Sequence, residues 1–372
     1  MVPAFAEKTN RFTMAETTQQ PATAARGERW RAADPTPNFF IVGAPKCGTT
    51  ALNQYLSVHP EIFVAQKEMH FFGADLQFGP QFYRRNEAAY LAEFDAWNGQ
   101  PSVGEASVWY LFSQRAAAEI KAFNPQARII IMLREPAAML YSLYNQFRAD
   151  GNEHLPTFAE ALAAEPDRQA GRRLARTAYF RQGLVYRAAA RYTEQVRRYF
   201  ELFGREQVRV ILYDDFAADP AAAYREALGF LGVAVNRGEE NFGVVQASQT
   251  VRSPALRSFL QDPLVRGTAI ALRSRLPSVL FNLVQKAGDQ LCDLNSREQK
   301  YPPIPPELQL ALKREFAPEV EQLSELLGRD LTHWSRPRLP TGRNPFIPAV
   351  PPGQPAELPA FRSQPKYGAA SD

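Results

Sequence analysis

Lys46 sits inside the run Gly43-Ala44-Pro45-Lys46-Cys47-Gly48-Thr49-Thr50, whose residue types suit the capture of an anion. The apolar stretch 39–42 before it reads as a buried strand, and Leu52, Tyr55 and Leu56 after it recur as on one face of a helix. A loop between strand and helix aims backbone N–H groups and a positive helix end at one spot. Lys46 adds a full charge there. Gly43 and Gly48 keep the G-x-x-x-x-G spacing of a phosphate loop, but the lysine lies two residues before the second glycine instead of directly after it. It therefore reaches a different atom from the lysine that grips β- and γ-phosphates.

A second cation closes the apolar run 128–133, which reads as another buried strand and ends at Arg134. A phosphate-hydrolysing P-loop enzyme places a magnesium-binding aspartate at such a tip; an arginine suits a phosphate instead. Pro136 then opens a helix over 136–149. Ser142 lies about two turns along it and can share the same anion. A third group, Glu68 and His70, alternates with Met69 and Phe71. In an extended chain that alternation puts both polar side chains on one face.

Taken together, P-K-x-G-T-T-x-L at 45–52 and R-[DE]-P-x(5)-S at 134–142 resemble the two nucleotide motifs of sulfotransferases that use 3′-phosphoadenosine 5′-phosphosulfate (PAPS). The segment Lys67-Glu68-Met69-His70-Phe71-Phe72 resembles the K-E-x-x-F-F and N-E-V-H-F-F segments of Golgi-type glycan sulfotransferases and their bacterial relatives. The resemblance implies that Pro45, Lys46, Cys47, Gly48, Thr49 and Thr50 hold the 5′-phosphosulfate, and that Arg134 and Ser142 hold the 3′-phosphate. It implies that Glu68 is the catalytic base, with Lys46 and His70 beside it. Lys67 is an alternative cofactor contact. Gly104-Glu105-Ala106-Ser107 is similar to the family's G-E-K-[ST]-P-x-Y, which places Ser107, Trp109 and Tyr110 towards the acceptor. The loose match Gly183-x-x-Tyr186 brings Tyr186 towards the cofactor, with helix packing as the alternative. The stretch 295–303 corresponds to a loop over the nucleotide, so Arg297 and Lys300 become contacts.

Two departures stand out: Ala106 replaces a lysine and Met139 a second arginine. The resemblance covers residues 38–335. It implies in-line sulfuryl transfer from PAPS to a hydroxyl or amine, with a carbohydrate-like acceptor favoured and no metal required. Two other readings stay open. Asp214-Asp215, after a third core strand, suits the magnesium site of a P-loop kinase or hydrolase; an inactive, nucleotide-binding relative of the sulfotransferases fits the two missing contacts.

The elements that must position these groups alternate. Strands are expected at 39–42, 62–64, 128–133 and 208–213. Helices are expected at 81–97, 113–123, 136–149, 184–203, 221–231 and 305–327. Such alternation predicts an α/β fold, one P-loop-like parallel sheet with helices on both faces, with ligands at the carboxyl ends of the strands. A chain of 372 residues, 45% hydrophobic, is large enough for one such domain over 36–335. Residues 1–35 read as a polar leader. Residues 336–372 carry nine of the thirty prolines and read as an extended tail. A net charge of +4 fits anionic ligands, and nothing in the chain resembles a nucleic-acid-binding signature. Cys47 and Cys292 are the only cysteines, so no disulfide framework exists. No signal-peptide or membrane-spanning run is visible, which makes a cytoplasmic location the expectation.

Overall fold

Apolar, largely β-branched and aromatic residues build the strands at the centre of the molecule. The computed structural model describes residues 36–65, 67–79, 86–235, 249–251, 296–298 and 301–336, the two three-residue segments by their backbone alone. In chain order the main elements are β1 (Phe39–Gly43), α1 (Thr49–Ser57), β2 (Ile62–Val64), α2 (Glu87–Ala92), β3 (Ser102–Ala106), α3 (Ala116–Phe123), β4 (Arg128–Leu133) and α4 (Pro136–Asp150). Then come α5 (Phe158–Ala163), α6 (Glu165–Gln169), α7 (Tyr186–Ala189), α8 (Tyr192–Phe203), β5 (Val208–Leu212), α9 (Tyr213–Ala218) and α10 (Pro220–Leu231). β6 (Gln249–Val251), β7 (Ser296–Glu298) and α11 (Pro306–Leu327) complete the set. All lie in the compact unit that begins at Pro37.

Five parallel strands form one sheet in the order β2-β3-β1-β4-β5. β1 is central and wholly buried, as a run of Phe-Phe-Ile-Val requires. Helices cover both faces. α1 packs with α10, while α8 packs with α3 and α11. Parallel order sends every strand out at one edge, so the loops after β1, β3, β4 and β5 gather there. A separate antiparallel pair joins β6 to β7, and β6 packs against α4.

Three helices differ from the sequence expectation. The expected helix 184–203 is broken into a 3₁₀ turn at Gln182–Leu184, α7 and α8. Side chains from outside satisfy the broken ends: Glu319 of α11 accepts the Thr193 N–H at 2.6 Å, and Gln195 donates to the Ala188 carbonyl at 3.1 Å. The expected helix 81–97 is reduced to α2, capped by Asn86, with 81–85 outside the described residues. The helix expected from 113 starts at Ala116, because the Ser113 hydroxyl accepts the amides of Arg115 and Ala116 and so acts as its cap. Among the described residues no helix is long and apolar enough to cross a membrane.

Candidate functional site

β1 ends at Gly43 because nothing larger fits. A Cβ there would stand 2.3 Å from the Val108 carbonyl oxygen, and its φ of 141° is one that side chains avoid. The chain then turns through Pro45 and Lys46, and Gly48 (φ 90°, ψ 4°) starts α1. Thr49 and Thr50 are the first helical residues, so their amides have no partner inside the helix. Among the described residues no amide from Lys46 to Thr50 donates to any acceptor. The Cys47 thiol is buried and donates to the Pro45 carbonyl at 3.3 Å. Burial pushes it up to about 12, so it stays a neutral space-filler.

Lys46 is held below the usual lysine range. Burial is the main cause; Lys67 and Arg134 add to it and Asp150 opposes it. Those neighbours fix the site's contents: the loop lysine, the strand-tip arginine and Lys67 share one field. Arg134 leaves β4 beside the loop. Its guanidinium donates to the Lys46 carbonyl at 3.2 Å and lies over the Tyr213 ring at 4.4 Å. Glu135 turns inward, accepting the Ala137 and Ala138 amides at 3.2 and 2.9 Å, and so caps α4. That division of labour explains an arginine followed by an acid and a proline: one residue reaches the loop after β1 and two start the helix. Ser142 is partly exposed on α4.

Glu68 and His70 meet, but not by the extended geometry expected. Both adopt left-handed backbone, φ 64° and 52°. The physical cause is that the edge of β3 and the turn after it capture this segment's amides: Glu68 N–H bonds to the Ala106 carbonyl at 2.8 Å, and Phe71 and Phe72 N–H bond to the Tyr110 hydroxyl. The turn folds the two side chains together, with His70 Nε2 3.9 Å from Glu68 Oε2. Glu68 is 32% exposed and pairs with Lys67 at 2.5 Å. It also accepts the Val108 amide at 3.2 Å. Burial resists its charge, but Lys67 leads the groups that outweigh it and hold the carboxyl below its usual range. Lys67, the alternative cofactor contact, is thus committed to Glu68. His70 is 7% exposed, stacked on Phe78 at 4.0 Å, and driven down to about 4 by burial, so it is neutral at pH 7.

Other expected site residues fall elsewhere. Tyr186 is fully buried and donates to Glu153 at 3.0 Å; packing, the alternative weighed for it, replaces the expected approach to a cofactor. Ser107 and Tyr110 are buried and bonded to Glu105, and Trp109 stacks among Phe112, Phe147 and Phe180. Ala106 and Met139 are both buried. Arg297 lies on β7 with only its backbone described, and Lys300 lies outside the described residues. Tyr301 donates to the Asn145 carbonyl and Tyr141 to the Pro302 carbonyl, so residues 301–302 lie against the helix that carries Ser142. Asp214 and Asp215 are occupied: Asp214 accepts the Trp334 indole N–H at 2.6 Å, and Asp215 pairs with Arg329. Sequence reasoning expected no strand over 102–106 and gave no role to Glu105, the buried acid next to the end of β3.

A parallel sheet whose central strand feeds a lysine-bearing anion loop defines a P-loop-like α/β protein. Within that class, a family model for the sulfotransferase domain matches residues 36–251, and the chain belongs to that family. It is 24% identical, over 82% of its length, to the human bifunctional heparan sulfate N-deacetylase/N-sulfotransferase 3, covering 32% of that protein. It is 28% identical, over 53% of its length, to mouse heparan sulfate glucosamine 3-O-sulfotransferase 3B1, covering 46% of it. The chain thus spans less than half the length of these curated relatives. A sulfotransferase structure from Alicyclobacillus acidocaldarius is 32% identical, with a TM-score of 0.58, over 81% of this chain and 100% of that one.

Proposed function

We propose that this protein moves a sulfuryl group from PAPS to a hydroxyl or amine, with a carbohydrate as the favoured acceptor. The observation that carries the reading is the set of unused donors: the amides of 46–50 and the Lys46 ammonium have no hydrogen-bond acceptor among the described residues. Such a cradle fits a 5′-phosphate. Arg134 and Ser142, one strand over, fit a second phosphate on the same nucleotide. Bound PAPS supplies a sulfuryl group attached to a phosphate leaving group.

Each residue then has one task. The amides and Lys46 hold the negative charge that grows on the leaving oxygen. Glu68, ionised at neutral pH, accepts the proton of the attacking acceptor. Neutral His70 packs beneath it and limits the directions in which its carboxylate can swing. Arg134 is held by Tyr213 and the Lys46 carbonyl, so the second phosphate meets a preset guanidinium. The relatives named for heparan sulfate support a glycan acceptor. Buried Ala106 offers no cation to an acidic sugar, which favours a less charged one.

The test is incubation with sulfur-labelled PAPS and a panel of neutral and N-deacetylated oligosaccharides, with calorimetry of adenosine 3′,5′-bisphosphate alongside. Label should enter an acceptor, and Glu68→Gln should abolish most of it. A chain that ignores the bisphosphate and binds ATP would overturn the proposal. One that binds the bisphosphate but labels nothing would point to an inactive relative.

A further inference from the structure

We propose that Glu105 is a positioning residue: its buried carboxyl group, acting through the hydroxyls of Ser107 and Tyr110, locks the turn that presents Glu68. The proposal rests on the reading of Glu68 as the base. Glu105 lies on β3 opposite Phe40 of β1 and is fully buried. It is shut off from solvent, yet three hydroxyls converge on it. Tyr90 and Tyr110 both donate to Oε1 at 3.1 Å, and the Ser107 hydroxyl bonds to Oε2 at 3.1 Å.

The Tyr110 oxygen accepts the Phe71 amide at 2.9 Å and the Phe72 amide at 3.2 Å. With both of its acceptor positions taken, its one proton goes to Glu105. The Ser107 oxygen accepts the His70 amide at 3.4 Å. Three backbone amides of the 68–72 turn are therefore tied through two hydroxyls to one carboxyl group, and each bond polarises the next. The same strand supplies the Ala106 carbonyl that holds the Glu68 amide. Glu68 and His70 sit in backbone wells that non-glycine residues avoid, and such conformations persist only where surroundings over-determine them. The Glu105 relay is that surrounding.

Burial raises the Glu105 carboxyl to about 8, so at pH 7 it is largely the neutral acid, one oxygen accepting and the other donating. Glutamine copies that pattern, whereas leucine leaves the tyrosine protons without an acceptor. The charged and titratable groups facing Glu105 are Tyr90 from α2, Tyr110 from the turn after β3, and Glu68 from the turn itself.

The experiment compares wild type with Glu105→Leu, Glu105→Gln, Tyr110→Phe and Ser107→Ala. It reads amide exchange at single residues, the titration of the Glu68 carboxyl carbon by NMR, and affinity for adenosine 3′,5′-bisphosphate. In Tyr110→Phe, exchange at Phe71 and Phe72 should rise at least about tenfold; in Ser107→Ala, the rise should centre on His70; Glu105→Leu should affect all three, and Glu105→Gln should stay near wild type. The Glu68 midpoint should rise in Tyr110→Phe, as the loosened turn slackens the contacts with Lys67 and the Val108 amide that hold it down, and bisphosphate affinity should stay within about twofold. Unchanged exchange at 70–72, or a rise spread evenly over the sheet, would overturn the proposal. So would an unmoved Glu68 midpoint. If Glu105→Leu does not fold, the Tyr110 and Ser107 variants carry the test. Full turnover by Glu68→Gln alongside a loosened turn would sink the base assignment and leave the tether standing.

Discussion

At the scale of single residues, charge and burial set opposite tasks for two neighbours. Glu68 keeps its charge because Lys67 lies against it, despite partial burial. A base with a depressed carboxyl works at neutral pH and fails only in acid. Transfer should therefore hold down to about pH 5 and decline with a midpoint below the ordinary carboxylate value of about 4.3. Replacing Lys67 by Met should move that midpoint upwards, which a pH–rate profile measures. Glu68→Gln should cost roughly 10²–10⁴-fold in turnover. Lys46→Ala should cost about 10²–10³-fold, as for loss of one preorganised donor to a developing anion. His70 behaves in the reverse sense. Its folded value of about 4 lies below the unfolded value near 6.5. Between those limits the unfolded chain binds the extra proton, so stability is intact above pH 6.5 and falls as pH drops towards 4. Urea midpoints taken across this window should show the loss, and His70→Phe should flatten that part of the curve.

At the scale of elements, the close approach of β1 to the turn after β3 decides the site's shape. A methyl at Gly43 would collide with the Val108 carbonyl and meet Leu111 Cβ at 2.9 Å. Val108 is the residue whose amide holds Glu68, so a shift there disturbs both halves of the site. Gly43→Ala should destabilise by about 3 kcal/mol, from strain and overpacking together, and should depress turnover in whatever remains folded. Paired thermal melts and transfer assays check this. The same elements show what the sequence could and could not reveal. β1, β4 and the anion loop were legible because long apolar runs and glycine spacing are local signals. Arg134 was legible because its place at the end of a strand follows from that run. The bent turn at Glu68 was not, because its left-handed residues are stabilised by a tyrosine some forty positions away. The break between α7 and α8 was hidden likewise, since Glu319 supplies the cap from α11. Helical periodicity runs through such a break, and only the tertiary partner reveals it.

At the scale of the whole molecule, the anion loop, Arg134 and Ser142 must keep a common frame, and α4 carries Ser142 away from the strand tip that bears Arg134. It begins beside Arg134 and ends where Glu153 is buried with Arg168 of α6. That ion pair spans 2.7 Å with both side chains wholly shielded from solvent. Glu153 also accepts the Tyr186 hydroxyl and the Leu155 amide, and Arg168 donates to the Leu184 carbonyl. The pair thus fastens the end of α4 to α6 and to the turn that opens α7. Desolvating two charges is expensive, and the attraction between them returns little net stability. Removing one partner is a different matter, because the other charge is left buried and unpaired. Arg168→Met should cost about 3–5 kcal/mol. The double change Glu153→Gln with Arg168→Met should recover much of that loss, since no bare charge remains. If the ion pair chiefly fixes geometry, the double variant should refold to near wild-type stability yet bind adenosine 3′,5′-bisphosphate more weakly, as Ser142 shifts with α4. Denaturant midpoints and calorimetry on the two variants separate these effects, and a single variant within about 1 kcal/mol of wild type would refute the role assigned to the pair.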